Sequence, residues 1–197
     1  MNLPLSTCTL GLLAMIGAPA LLLEGLRHGF AKTPNEQTDV TGALLYAAFA
    51  LGWLAAMIGL RRLQASGRGS LGRFLATAPL VTLPLALGQS LMDILKVPTS
   101  SPFYIVTDLA WPLSMVLTFA VSVAVLLSGG LSGWHRLVPL LCGLSLPATL
   151  LLTALTGQEL PGWVFGAHTA LGWLLLGYVV FAEGRPAWSP RAALGTH

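Results

Sequence analysis

Six apolar stretches, each near the roughly 20 residues needed to cross a bilayer core, leave this chain few ways to fold. They run approximately over Thr7–Leu26, Gly42–Leu60, Phe74–Leu95, Tyr104–Ser128, Leu137–Thr156 and Gly162–Ala182. In hydrocarbon every backbone N–H and C=O must find its partner within the chain, so stretches of this length are read as helices. Composition agrees. Only 9% of the residues are charged, against about 25% in a soluble domain, and the mean hydropathy is +0.78. The expected fold is therefore all-α, a polytopic transmembrane helix bundle of about six spans. Residues 1–183 form one domain and residues 184–197, with Pro186 and Pro190, a loosely ordered tail.

The separators carry loop chemistry. Arg27 to Asp39 holds His28, Lys32, Pro34, Asn35 and Glu36, and Arg61 to Arg73 is rich in Gly, Ser and Arg. Lys96 to Pro102 holds Pro98 and a Thr-Ser-Ser run, and shorter links run through Gly129-Gly130 and Gly157-Gln158-Glu159. Basic residues set the expected orientation. With the N-terminus inside, Arg61, Arg62, Arg68, Arg73, Arg136, Arg185 and Arg191 face the cytoplasm and Arg27, Lys32 and Lys96 face out. That bias places both termini in the cytoplasm of a multi-pass protein, in a cytoplasmic membrane of the bacterial type. Phe103, Tyr104, Trp111 and Trp163 then fall near the outer interface, and Trp134 and Trp188 near the inner one. Leu5-Ser6-Thr7-Cys8 has the look of a lipoprotein cleavage box, but no apolar stretch precedes it, so the first stretch is read as a retained helix.

Charges and imidazoles within a span are costly, which makes each a candidate for function. They are Glu24, Asp93, Asp108 and His168, with His28 just beyond the first stretch. On the expected topology all five fall in the outer half of the membrane. Uncharged polar residues extend the pattern. Thr82, Ala86, Gln89 and Asp93 share one face of the third helix, and Asp108, Trp111, Met115, Thr118 and Ser122 form a weaker stripe on the fourth. Cys142, Ser145, Thr149, Thr153 and Thr156 do the same on the fifth. Three such stripes are enough to surround a cleft open to the outside. Each also has a plain explanation, since Ser and Thr bond the preceding turn or join helices. Pro19, Pro79, Pro84, Pro112, Pro139 and Pro147 lie within the stretches and free backbone carbonyls there.

Other features bear on packing. Ala48, Gly52 and Ala56 line one face of the second helix, and Gly162, Gly166 and Ala170 one face of the sixth, both in the spacing that permits close approach. Ala50-Leu51-Gly52-Trp53-Leu54 recurs as Ala170-Leu171-Gly172-Trp173-Leu174, a short echo of an internal repeat. Cys8 and Cys142 show neither a metal spacing nor a disulfide framework.

Several chemistries find little support. There is no phosphate loop, nucleophile elbow, zinc-protease motif or lysine within a span. No basic stripe with interleaved aromatics suggests nucleic acid. His168, Asp93, Asp108 and Glu24 are suitable metal ligands without a diagnostic motif, and a bis-histidine haem would need His28 opposite His168. No cofactor is specified. Three readings remain. The first is a protein that binds or transports a small polar ligand, ion or proton in a cleft lined by Asp93, Asp108, Gln89, Glu24 and His168. The second, nearly level with it, is a structural or partner subunit of a membrane complex. The third is a metal- or haem-dependent membrane enzyme or redox protein, ranked behind because the links are too short for an active-site lid. The bilayer is the partner all three require, and a homo-oligomer fits any of them.

Overall fold

The computed structural model describes residues 5–30 and 39–185, so most of the tail expected over 184–197 lies outside the described residues. Those residues form helices joined by short links, with no strand among them. The helices are α1 (Thr7–Gly17), α2 (Ala20–Arg27), α3 (Val40–Arg62), α4 (Ser70–Thr77), α5 (Pro79–Ile94), α6 (Pro102–Ser128), α7 (Val138–Gly143), α8 (Ser145–Thr156) and α9 (Gly162–Glu183), with a short 3-10 turn over Gly133–Leu137. Five continuous units are long and apolar enough to cross a membrane: Thr7–Arg27, Val40–Arg62, Ser70–Ile94, Pro102–Ser128 and Gly162–Glu183. A sixth, Gly133–Thr156, qualifies only if it is counted across a 53° bend at Leu144. The outer surface is apolar, with Ile16, Val81, Leu150 and Leu171 all exposed.

Sequence chemistry explains the ends and breaks. The Ser6 hydroxyl caps α1 by accepting from the Thr9 N–H, and the Asp39 carboxylate caps α3 by accepting from the Gly42 N–H at 2.7 Å. Pro19 lies at the α1–α2 break and Pro79 opens α5, where a missing N–H costs least. Pro84 and Pro112 are carried inside α5 and α6. α6 and α8 each end on a glycine in the left-handed region, Gly129 and Gly157.

The helices close into a ring. α1 packs between α9 and α3, α5 between α3 and α6, and α7 between α6 and α9. The chain is thus three successive hairpins, each with a broken first arm and a continuous return arm: α1–α2 with α3, α4–α5 with α6, and α7–α8 with α9. The echo between α3 and α9 has a third copy in α6. Leu51-Gly52-Trp53, Leu109-Ala110-Trp111 and Leu171-Gly172-Trp173 occupy the three return arms. Their indoles meet at the centre, with Trp53 centred 5.8 Å from Trp111 and 5.4 Å from Trp173, and Phe49 touching all three. Trp111 is half-buried in this cluster, with Phe49, Trp53 and Tyr46 as its aromatic neighbours.

The small residues keep the ring tight. A Cβ on Gly52 would stand 3.0 Å from the Gly17 Cα and 3.2 Å from the Ala14 carbonyl, so α1 and α3 touch backbone to backbone. In the third hairpin Gly172 faces Cys142 more loosely, since a Cβ there would stand 3.4 Å from its sulfur and 3.9 Å from its Cα. Ala14 and Cys142 each stand five residues before a proline, Pro19 and Pro147, so the two contacts correspond. Gly11 and Gly177 do the same for α1 and α9. Cys8 and Cys142 are free thiols.

Candidate cavity between α3, α5 and α6

The stripes of α5 and α6 face each other, and hydrogen bonds join their inner portions. Ser114 Oγ lies 2.7 Å from Thr82 Oγ1 and 2.7 Å from the Ala110 carbonyl. One turn further along α6 the Thr118 hydroxyl donates to the Ser114 carbonyl and accepts from the Trp53 indole N–H at 3.1 Å. Ser122 bonds the Thr118 and Pro139 carbonyls, which ties in α7. All these hydroxyls are buried and partnered, which is what an apolar interior demands.

Towards the Lys96 end the same stripes part around a cavity of about 270 Å³. Tyr46 of α3, Ala86, Gln89, Ser90 and Asp93 of α5, and Tyr104, Asp108 and Trp111 of α6 line it. Asp93 is 5% exposed, and the Tyr104 phenol donates to its Oδ1 at 3.0 Å. Gln89 Oε1 accepts from the Thr107 hydroxyl at 2.8 Å. Gly88 permits that contact, since a Cβ there would stand 3.1 Å from the Thr107 methyl. Asp108 is exposed and within electrostatic range of Asp93, so two carboxylates act on one space. The rings of Tyr46 and Trp111 meet edge to face at 5.9 Å and form a corner of the wall.

Of the five residues expected to share a cleft, the structure brings together Asp93, Asp108 and Gln89. Glu24 and His168 stand apart. Glu24 is drawn into an ion-pair cluster at the end of α2, where the Arg27 guanidinium bonds it at 2.9 Å and reaches Asp39 at 2.9 Å. His28 Nε2 lies 3.4 Å from the other Glu24 oxygen. Arg27 and the Gly42 N–H hold the Asp39 carboxyl at about 2. Tyr46 stands between this cluster and the cavity, in electrostatic range of both Glu24 and Asp93. His168 projects from α9, a helix that contributes nothing to the cavity wall, and its buried Nε2 has no hydrogen-bond partner among the described residues.

Ligand atoms of Glu24, His28 and Asp39 lie within 4.8 Å of one another, the one grouping of three or more metal-ligand side chains among the described residues. It is not the set proposed from sequence, and Arg27 already bridges its two carboxylates with a positive charge that opposes a cation. The fifth-helix stripe is divided by the bend at Leu144. Thr149 and Thr156 bond the carbonyls of Ser145 and Leu152 in their own helix, the plain role for such hydroxyls.

Sequence reading placed Trp111 on a cleft stripe but missed the two tyrosines of the wall, Tyr46 above all, together with Ser90. A signal existed: Tyr46 and Tyr104 each stand seven residues before the tryptophan of their return arm. It also missed a cluster at the opposite end, where Glu183 accepts from Ser132 at 2.9 Å and pairs with His135 Nδ1 at 2.6 Å. Comparison with protein-family models, with curated proteins and with solved structures finds no match, so function must be read from the cavity itself.

Proposed function

We propose that this chain is a multi-pass membrane protein that binds a small polar ligand, ion or proton in the α3–α5–α6 cavity. Both termini face the cytoplasm and the cavity lies toward the outer side, the orientation its arginines favour. The observation that carries the reading is Asp93, a carboxylate 5% exposed in a bundle with an apolar surface, beside a second carboxylate and a space of about 270 Å³. An acidic group at such a position is costly, and packing alone would be served as well by a leucine. The central indoles fill the ring axis, so the cavity is a recess and not an open channel. Any passage across the membrane requires α3, α5 and α6 to move against one another.

A membrane-impermeant thiol reagent tests the reading in intact cells. Ser90→Cys, in a background with Cys8 and Cys142 replaced, is expected to react from outside, whereas Val121→Cys in the core is not. Reaction only from the cytoplasmic face keeps the cavity and reverses the orientation. No reaction from either face, with Ser100→Cys in the exposed loop labelled normally, means a dry recess and sinks the proposal.

A second reading, a partner subunit of a membrane complex, draws on α8. That helix bends away from the ring and buries only Ser145, leaving Leu150, Leu151 and Leu155 exposed.

A further inference from the structure

The cavity wall has two kinds of surface. One is acidic: Asp93, nine-tenths buried, and Asp108 at the mouth. The other is aromatic: Tyr46, Tyr104 and Trp111, with Tyr46 and Trp111 set at 83° to each other. Among the described residues none that line the cavity is basic, and Lys96, which acts on Asp93 electrostatically, stands outside the lining. Two carboxylates sharing one space repel each other unless a positive charge comes between them. The cavity has room for roughly nine waters at about 30 Å³ each, more than a bare metal ion fills and less than a drug-sized ligand needs. A metal ion would also want several oxygen ligands at fixed short range, whereas much of this wall is ring face and edge. Aromatic walls with carboxylates nearby suit a cation whose charge is spread over an alkyl shell.

The three hairpins show which parts of this lining the ring can close without. Asp108 stands three residues before its tryptophan, where the other return arms carry Ala50 and Ala170. Gln89 and Asp93 stand five and nine residues after Pro84, where the third hairpin has Leu152 and Thr156 after Pro147. The first hairpin does carry Glu24 and His28 five and nine residues after Pro19, but Arg27 and Asp39 close over them, so the second hairpin is the one whose acidic group faces a cavity.

We propose that the cavity accepts a small organic ammonium ion, with Asp93 and Asp108 holding the charge and the rings of Tyr46, Tyr104 and Trp111 enclosing the alkyl groups. This rests on the reading of the cavity as a binding site and names its ligand class. Buried Asp93 attracts the charge through the cavity, while Asp108 at the mouth captures the cation from solution. Gln89 and Ser90 give a polar edge for a hydroxyl or amine on the same molecule.

The test uses the full chain in a maltoside detergent, free of ammonium headgroups. Choline and its neutral isostere 3,3-dimethylbutan-1-ol are titrated at constant ionic strength and followed by calorimetry and tryptophan fluorescence. Saturable choline binding is expected, with the isostere at least tenfold weaker. Asp93→Asn and Asp108→Asn should each weaken choline at least tenfold, and Trp111→Leu severalfold. Equal binding of choline and the isostere would show that charge plays no part and overturns the inference, as does displacement of choline by equimolar sodium. No choline binding in a protein whose Ser90→Cys variant reacts with the thiol reagent overturns the ligand class and leaves the site standing. If Ser90→Cys is unreactive as well, both readings fail together. The wild-type comparison of choline with its isostere needs no variant to fold.

Discussion

The first and second hairpins build the same cleft-facing helix turn and use it in opposite ways. Five and nine residues after their prolines, the first carries Glu24 and His28 and the second Gln89 and Asp93. Both pairs lie at the same end of the ring. In the first hairpin Arg27 and Asp39 close over the polar groups and tie the end of α2 to the start of α3. In the second the matching groups face a cavity, and only Tyr104 and Thr107 reach them from the opposite helix. A buried acid can fasten helices or wait for a ligand, and the difference lies in whether a cation of the chain bonds it directly. Glu24 has its cation within one helical turn. Asp93 has a phenol.

The frame shared by all three hairpins should be the most sensitive to change. Trp53 is fully buried among Phe49, Trp111 and Trp173 and bonds Thr118. Trp53→Ala is expected to lower stability by about 3–5 kcal/mol in a thermal or denaturant unfolding series. Trp111→Ala should cost less, because that ring is only partly buried and lines the cavity. Equal losses would mean that the cavity wall is ordinary core.

The contrast between the two clefts predicts the next effect. Arg27→Ala leaves the Glu24 side chain, 12% exposed, without its guanidinium and should lower the melting temperature measurably. Adding Glu24→Gln should recover most of that loss. Asp93→Asn should change stability by less than about 1 kcal/mol, since an amide oxygen still accepts from Tyr104. If Asp93→Asn proves as costly as Arg27→Ala, both carboxylates are fasteners and the distinction collapses.

Most of the fold was legible because apolar length alone writes it. The expected stretches match the helical units to within a few residues, and Pro19 and Pro79 lie where the first and third units break. The fifth stretch reads as one span by hydropathy, and the structure bends it at Leu144, next to the Gly143 carbonyl that Pro147 cannot bond. The repeat was visible only in part. Leu109-Ala110-Trp111 keeps the tryptophan but replaces glycine by alanine and is followed by Pro112, so the third copy emerged only when the three indoles met. Half of the site was legible as well. Asp93, Gln89 and Asp108 stood out because polar groups in apolar helices are conspicuous. Glu24 and His168 stood out for the same reason and point elsewhere, because depth in the membrane fixes a residue's level but not its azimuth around the ring.

The smallest expected effect concerns the fastener of the first hairpin. Asp39 caps α3 and pairs with Arg27, and that pairing with the Gly42 N–H lowers its carboxyl from 3.8 to about 2. A folded value below the unfolded one means the group stabilises the protein at any pH above 3.8. That contribution is lost as the pH falls from about 4 towards 2 and the carboxylate takes up a proton in both states. The side chain is 52% exposed, so water and salt screen the pair and the effect is small. Melting temperatures of the wild type and of Asp39→Asn, measured between pH 5 and pH 2, are expected to converge as the pH drops. The amide still caps α3, so the comparison isolates the charge. A gap that stays constant across that range would mean that Arg27 does not hold Asp39, and the first cleft would then be as open to a cation as the second.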